Sequence, residues 1–361
     1  MKKRWIMSLA LVLLLLVSVG CSRMDGWIDS QKNEINSLKE LETQIEEALK
    51  KGEKELSFVT TELSQEDLRE LNQSHDGFYG TVSSYEIRTM RILRHSQVTL
   101  HCDISENFYV ERAMLDGEAI PSDNRKALRL KEVCESILPQ LEEADSDYKK
   151  EKKIHDYLVR KVAYGYPEGR EEKDSTGYTA YGALVEGKAV CNGYAQAMKL
   201  LCDISGVECE MISGRADGEN HAWNLVRLEG ALYHVDVTWD DPEPDDPDRI
   251  LYSYFNLDDA QMGLSHQWEK SFYEKAEGKK YQYYYKNDLY CESIEELSKK
   301  CEQIFESDTP ERFQVLVGDY EEEKYTEQNL QFIFRYSGAR YMRLQTIGEA
   351  PCTTLYVILD Y

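Results

Sequence analysis

The chain has 361 residues, of which 43 are Lys or Arg and 67 are Asp or Glu, so its formal net charge is −24. Hydrophobic residues make up 42% and charged residues 30%, which excludes a disordered chain and is typical of a globular protein. So acidic a protein repels phosphate backbones, which argues against nucleic acid as a partner. Nine cysteines are too few for a disulfide scaffold. The length suggests two or three domains.

The first residues have the pattern of an export signal. A basic start precedes an apolar run over residues 6–19, which is shorter than the roughly 20 residues that a membrane-spanning helix needs. Small residues and then Cys21 follow, which resembles a bacterial lipobox, whose cysteine becomes the lipidated N-terminus. We therefore expect residues 1–21 to be a lipoprotein signal peptide, with Cys21 anchored in the outer face of the membrane, and residues 22–37 to be a tether. The alternative is an ordinary cleaved signal and a secreted protein.

Residues 38–120 are predicted to form a small α/β module. Apolar residues at helical spacing favour a helix from Leu38 to Lys51, and a Ser followed by acidic residues favours a second over Ser64–Ser74. Strand-like runs cover residues 55–60, 97–101 and 107–111.

Residues 276–361 are predicted to form a second α/β module. It has a helix from Ser293 to Phe305 and a strong strand pattern from Thr353 to Leu359. The order of helices and strands is that of the first module. Two explanations stay open: the two modules are related, or their amphipathic helices are alike only in pattern.

The segment between them, residues 121–275, is predicted to be the core. Two helices, over residues 124–141 and 147–162, precede Cys191. Apolar residues after Cys191 recur at helical spacing, which puts this cysteine at or beside a helix N-terminus. Free N–H groups and the helix dipole stabilise an anion there, so a thiol in that place is a stronger nucleophile at neutral pH. A single cysteine at a helix start can also be structural.

A predicted β-hairpin supplies partners for this thiol. Two segments with strand-like alternation lie on either side of a turn at Glu229-Gly230. A two-residue loop pairs Leu228 with Ala231 and makes His221 and Asp236 diagonal neighbours on one face, roughly 7–8 Å apart at the backbone. A slip of one residue would put them on opposite faces. In this register the carboxylate orients the imidazole, and the imidazole takes the thiol proton.

Three motifs together resemble the transglutaminase-like superfamily: Cys191-Asn-Gly-Tyr-Ala, Asn220-His221-Ala-Trp-Asn, and Tyr233-His-Val-Asp236-Val-Thr-Trp-Asp-Asp. The resemblance implies an α+β fold with a papain-like core, in which a helix bearing the cysteine packs on an antiparallel sheet. It implies a catalytic triad of Cys191, His221 and Asp236, with no cofactor and no metal. Weaker similarity extends to residues around His155 and His266. The backbone N–H of Cys191 is the expected oxyanion donor, and Tyr178 or Tyr181 is an open guess for the second.

The function that these motifs predict is cleavage or transfer at amide bonds of peptides or proteins, through a thioester. If water attacks the thioester, the enzyme is a peptidase or deamidase. If a Lys amine attacks the thioester, the enzyme is a transglutaminase. Hydrolysis is favoured, because water is the default acceptor unless a site excludes it. Two alternatives remain: an inactive surface lipoprotein that uses the core as a peptide groove, and an enzyme that processes cell-wall cross-bridge peptides. The expected partners are a peptide substrate at the cell surface and the membrane, through the lipid anchor.

Other signals are given a plain structural interpretation. His155 is predicted to be solvated, and neither it nor His234 has a partner that the sequence suggests. The acidic run over residues 240–248 is predicted to be a solvated loop rather than a cation site. The tyrosines of residues 281–285, with Tyr290, are predicted to form an edge strand rather than a surface that stacks sugars. Cys202 and Cys209 could form a disulfide outside the cell.

Overall fold

In the computed structural model the chain folds into helices and largely antiparallel sheets, as the α+β prediction requires. The structure describes residues 33–51, 53–64, 67–68, 82–92, 95–167, 176–348 and 353–361. The predicted signal peptide, Cys21 and most of the predicted tether lie outside these ranges. The chain divides into two compact units, one ending at Phe108 and the other beginning at Tyr109. Within the described ranges, no helix combines the length and hydropathy that crossing a bilayer requires.

The first unit is a helix on a three-stranded sheet. Its elements are α1 (Leu38–Lys50), β1 (Glu55–Thr60), β2 (Val82–Ile92) and β3 (His95–Ile104). The strands pair antiparallel in the order β1-β3-β2, and the apolar face of α1 packs into the core that the strands form. Ser37 caps α1 by accepting the N–H of Glu40 at 3.2 Å. The predicted helix over Ser64–Ser74 begins with reciprocal Ser64–Asp67 hydrogen bonds, and most of it lies outside the described residues.

One strand prediction near the end of this unit is wrong. The segment over residues 107–111 lies in helix α2, Glu106–Leu115. Ser105 Oγ accepts the N–H of Phe108 at 3.4 Å, and Glu106 puts a negative charge in the first helical turn. These local features favour a helix start, and they outweigh the alternation of apolar residues that suggested a strand.

In the second unit, three long helices lead to the sheet that carries the predicted hairpin. They are α3 (Arg125–Glu142), α4 (Asp147–Lys161) and α5 (Cys191–Ser205), with the short parallel strands β4 (Ala163–Tyr164) and β5 (Lys188–Ala189) between the last two. Their buried apolar faces share one core with the sheet. Cys191 is therefore the first residue of α5, as predicted.

The central sheet has five antiparallel strands in the order β10-β6-β7-β8-β9. They are β6 (Cys209–Ala216), β7 (Glu219–Leu228), β8 (Ala231–Val235), β9 (Phe255–Leu257) and β10 (His266–Trp268). The hairpin prediction is confirmed: Leu228 pairs with Ala231 across a two-residue loop, in which both residues have a positive φ, 50° at Glu229 and 84° at Gly230. Pairing ends at Val235, so Asp236 leaves the sheet directly after β8. A short helix α6 (Asp259–Met262) follows β9.

The C-terminal part of this unit has a sheet and a core of its own. Its elements are α7 (Tyr283–Lys286), β11 (Tyr290–Cys291), α8 (Ile294–Ser307), β12 (Arg312–Val317), α9 (Phe332–Ser337), β13 (Tyr341–Ile347) and β14 (Thr353–Asp360), with strand order β11-β12-β14-β13. The predicted tyrosine-rich edge strand is wrong for residues 281–285, which turn into α7 and bury Tyr284, whereas Tyr290 does lie in the edge strand β11. The Tyr284 hydroxyl donates to Gln314 at 2.8 Å and so links α7 to β12.

Candidate active site

Cys191 begins α5 at a helix terminus that has no side-chain cap. The preceding Val190 occupies the capping position, and its apolar side chain makes no capping hydrogen bond. Gly193, two residues into the helix, lies so close to its surroundings that a Cβ there would be 2.4 Å from the Gly177 carbonyl oxygen and 2.8 Å from the Ala189 Cβ. The first turn of α5 is thus held tightly while its N–H groups are left without a side-chain acceptor.

His221 lies on β7 and faces Asp236, which follows β8. The His221 Nε2 is 2.6 Å from the Asp236 Oδ2. The other carboxylate oxygen accepts the backbone N–H groups of Thr238 at 3.0 Å and Trp239 at 3.3 Å. The Cys191 sulfur lies near enough to the His221 ring to raise the pKa of that ring. Because Nε2 is engaged with the carboxylate, the remaining Nδ1 is the ring nitrogen available to the thiol.

The charges in this cluster favour a protonated imidazole. Burial by itself lowers the pKa of His221, but the Asp236 carboxylate and the Cys191 sulfur outweigh it and raise the pKa to about 10. Burial raises the pKa of Asp236, yet His221 and His266 outweigh that effect and hold it well below its usual value. Asp236 is therefore an anion at neutral pH. Its charge stabilises the imidazolium that forms when the ring takes the thiol proton.

His266 joins the same carboxylate from the far edge of the sheet. Its Nε2 lies 3.0 Å from the Asp236 Oδ2, so this one oxygen contacts two imidazoles. His266 begins β10, which pairs with β6. Close approach of these strands needs a glycine at Gly214, where a Cβ would be 2.2 Å from the Gln267 carbonyl oxygen. Sequence reasoning reached His266 only through resemblance, because its spacing from Asp236 follows no local period.

Cys191 and His221 open onto a cleft of about 440 Å³. Asp217 in the turn between β6 and β7, Glu219 at the start of β7, and the loop over residues 241–243 also line it. Its described lining includes the aromatic Tyr164 and Trp239. An open volume of this size beside a nucleophile admits a side chain and part of a peptide backbone.

Comparisons with known proteins find similar sequences for part of the chain. Residues 135–237 match the sequence profile of the Transglutaminase-like superfamily. The chain contains a transglutaminase-like domain. Kyphoscoliosis peptidase of Mus musculus is 31% identical over 117 residues, and that of Homo sapiens is 29% identical over the same length. Each alignment covers 29% of this chain and 18% of the relative, so the chain spans less than a fifth of the length of these curated relatives.

Solved structures also resemble the chain. One is described as a TGase, with 14% identity and a TM-score of 0.29 over 53% of this chain and 52% of that one. Another is the periplasmic domain of TgpA from Pseudomonas aeruginosa, with 14% identity and a TM-score of 0.23 over 40% of this chain and 54% of that one.

The predicted second oxyanion donors do not lie in the cleft of the transglutaminase-like domain. Neither Tyr178 nor Tyr181 is among the described residues that line it. The hydroxyl of Tyr178 is 2.8 Å from that of Tyr166, and its backbone carbonyl accepts the Asn192 side chain at 3.0 Å. Tyr178 therefore helps to position Asn192, the second residue of α5.

The carboxylate and the two imidazoles could also be considered as metal ligands. One ligand atom from each of His221, Asp236 and His266 falls within 4.8 Å of the others. A metal ion needs an unprotonated nitrogen on each ring, whereas both nitrogens here lie at hydrogen-bond distance from the same oxygen, which can only accept. The two arrangements exclude each other, and hydrogen bonding accounts for the contacts observed.

The structure contradicts the prediction that His155 is solvated. His155 on α4 has no exposed surface, and its ring nitrogens lie 3.1 Å from Asp240 Oδ2 and 3.2 Å from Asp156 Oδ1. The prediction that it is solvated is wrong, because α4 places this position against the segment after β8. The acidic run over residues 240–248 is likewise not solvated at its start, where Asp240 is fully buried and Asp241 is 5% exposed.

His234 on β8 has partners that the sequence did not suggest. Its Nε2 lies 3.0 Å from Asp259 Oδ1, and its Nδ1 accepts the indole N–H of Trp223 at 3.1 Å. This histidine is also buried, but it makes no contact with the Asp236 carboxylate. His234 is a core residue of the same sheet, and both of its ring nitrogens have hydrogen-bond partners.

Cys191 differs from the other thiols in exposure. Of the seven cysteines in the described ranges, six are buried and Cys191 is half-buried at the cleft. Burial raises the pKa of Cys102 and Cys291 to about 11. Cys202 and Cys209 are free thiols in this structure, not a disulfide. Reagents that need an exposed thiolate should therefore prefer Cys191.

Proposed function

We propose that the chain is a cysteine-dependent enzyme that acts on amide bonds of peptides or proteins through a thioester, with Cys191 as nucleophile, His221 as base and Asp236 as the group that orients it. The observation that carries the proposal is the hydrogen bond between His221 and the Asp236 carboxylate, with His221 and the Cys191 thiol lining the same cleft. A superfamily match over these residues supports it.

The chemistry proceeds in two halves. His221 takes the thiol proton, and the Cys191 sulfur attacks the amide carbonyl carbon. The backbone N–H of Cys191, at the start of α5, stabilises the oxyanion. His221 then gives the proton to the leaving amine, and a thioester remains. Water, activated by the same imidazole, attacks the thioester, releases the acid and restores the thiol.

Hydrolysis is the outcome that we propose over transfer to an amine. The cleft is open to solvent, and Cys191 itself is half-buried rather than enclosed. Water therefore reaches the thioester unless an amine competes for it. A peptidase or deamidase is the resulting activity. The kyphoscoliosis peptidases carry a peptidase name, which agrees with this choice.

We further propose that the enzyme works outside the cytoplasm on a lipid anchor at Cys21. The sequence pattern of residues 1–21 supports this. Detergent-phase partitioning of the full chain against a Cys21→Ala variant tests it. The full chain is expected in the detergent phase and the variant in the aqueous phase. Equal partitioning would leave an unanchored protein.

The activity is tested by trapping the acyl-enzyme. The full chain is incubated with a library of Gln-containing peptides, with and without an added amine, and intact mass is recorded. A thioester on Cys191 and acid products are expected, and a dominant amine adduct would instead identify a transglutaminase. Cys191→Ala should form no adduct, whereas Cys291→Ala, which removes a buried thiol, should behave as the parent. Peptide binding that survives Cys191→Ala, with no thioester from the parent, would favour the adaptor alternative.

A further inference from the structure

We infer that His266 is a positioning residue of this site: it holds the Asp236 carboxylate so that one oxygen stays aimed at His221. The inference rests on the proposed function and extends it to a residue outside the triad. His266 does not line the cleft, so any effect on reactivity must pass through Asp236.

The hydrogen bonds of Asp236 show what His266 adds. Oδ1 accepts two backbone N–H groups, those of Thr238 and Trp239, which fix that end of the carboxylate. Oδ2 accepts from His221 and from His266. Of the partners of Oδ2, His221 is the ring that must gain and lose a proton during the reaction. His266 is therefore the contact that keeps Oδ2 in place throughout the cycle.

His266 is itself held rigidly in one tautomer. It is 1% exposed, and its ring centroid lies 4.9 Å from that of Trp223 and 4.5 Å from that of Trp239. A carboxylate oxygen can only accept, so the His266 Nε2 carries the hydrogen. Its Nδ1 lies 2.8 Å from Ser265 Oγ, whose hydroxyl can donate to it. The ring thus presents one fixed N–H to Asp236.

A buried histidine can be merely structural, and His234 provides the comparison within the same sheet. It is also 1% exposed, also contacts Trp223 and also pairs with a carboxylate, that of Asp259. The difference is that its carboxylate does not contact His221. Replacing His234 should therefore cost stability alone, whereas replacing His266 should also change the nucleophile.

The test measures the second-order rate constant for alkylation of Cys191 by iodoacetamide, read by peptide mass mapping at pH 7, with the full chain. His266→Phe should lower it about 10–100-fold, and His234→Phe should leave it within about twofold of the parent. Where a peptide substrate is in hand, His266→Phe should lower kcat and leave KM unchanged, because the residue does not touch the cleft. A rate constant for His266→Phe equal to that of the parent would overturn the inference.

A second pair of variants guards against misfolding of His266→Phe. The Gln side chain can place an amide N–H where the His Nε2 lies, whereas the Asn side chain reaches only the position of Nδ1. His266→Gln should recover most of the rate, and His266→Asn should not. Equal rates in these two variants would overturn the inference, since a purely structural role makes no such distinction.

The same measurement separates this inference from the proposed function. If Cys191 in the parent reacts no faster than a free thiol, the proposed function fails and the inference fails with it. If Cys191 is fast in the parent and equally fast in all three His266 variants, the inference alone fails.

Discussion

Two imidazole–carboxylate clusters lie at opposite ends of the short segment over residues 236–240. The cleft cluster consists of His221, Asp236 and His266, and the buried cluster consists of His155, Asp156 and Asp240. The backbone links them directly, because the Asp240 N–H donates to the Asp236 carbonyl at 3.2 Å. In both, burial is outweighed and the pKa of a histidine rises, to about 10 for His221 and about 9 for His155.

The difference between the clusters lies in what the second ring nitrogen meets. In His155 both nitrogens contact carboxylates and the ring has no exposed surface. In His221 one nitrogen contacts a carboxylate and the other is available to a thiol beside an open cleft. Similar chemistry is therefore structural in one place and suited to proton transfer in the other. Access and a free nitrogen, not a raised pKa, separate the two.

The largest expected effect on Cys191 alkylation comes from Asp236→Asn, which removes a charge from the cleft cluster. The amide keeps the shape but loses the charge and can offer an N–H to His221, which favours the wrong tautomer. Alkylation of Cys191 at pH 7 should fall by about 10³-fold or more. The matched variant Asp240→Asn, in the buried cluster, should stay within about tenfold of the parent. Similar losses in both variants would erase the distinction between the clusters.

The next largest effect is a loss of stability from His155→Leu, which removes the imidazole of the buried cluster. Two carboxylates, Asp156 and Asp240, lose their shared partner, and Asp240, which has no exposed surface, gains no water in its place. Urea denaturation should show a loss of about 3–5 kcal/mol in the free energy of unfolding. The folded fraction should keep its reactive Cys191. A loss below about 1 kcal/mol would show that His155 is not the partner that these carboxylates depend on.

A smaller, pH-dependent effect is expected at Glu151, which lies near the buried cluster. Burial raises the pKa of Glu151 to about 8, against the opposing effects of Asn256 and His155, and its Oε1 has no hydrogen-bond partner. The folded protein thus holds a proton that the unfolded chain releases above about pH 4.5, so this group lowers stability as pH rises from about 4.5 to about 8.

Glu151→Gln removes that dependence. The variant should be more stable than the parent by about 1–2 kcal/mol at pH 8 and no more stable at pH 4. Thermal unfolding at the two pH values measures the difference. The same gain at both pH values would mean that the carboxyl is not the source of the effect.

The smallest effect is expected at the hairpin that sets the register of both clusters. Gly230 has a φ of 84°, and a Cβ there would meet no atom within 4 Å, so Gly230→Ala adds backbone strain and no clash. The free energy of unfolding should fall by about 1 kcal/mol, with no change in Cys191 alkylation. A large loss of reactivity from this remote change would show that the register itself is unstable.

Much of the architecture followed from local patterns. Apolar spacing after Cys191 predicted α5, and the Glu229-Gly230 turn predicted the hairpin register, because helical period and turn geometry depend on neighbouring residues. That register, together with three motifs, was enough to nominate Cys191, His221 and Asp236. In the structure His221 contacts the Asp236 carboxylate, and Cys191 and His221 line the same cleft.

The sequence by itself therefore determined the helix that carries the thiol, the hairpin that aligns an imidazole with a carboxylate, and the resemblance to one superfamily. Only the tertiary structure decided that His266, 30 residues from Asp236, contacts the carboxylate oxygen of Asp236 that His221 also contacts. Only the tertiary structure decided that His155 is buried against Asp240, which lies 85 residues away in the chain. Contacts at such separations depend on how whole elements pack, and no periodicity within one element encodes the distance to another. Torsional preferences and turn geometry are local, so the sequence determines them directly. Buried polar groups need hydrogen-bond partners, and the partners of these histidines come from distant parts of the chain.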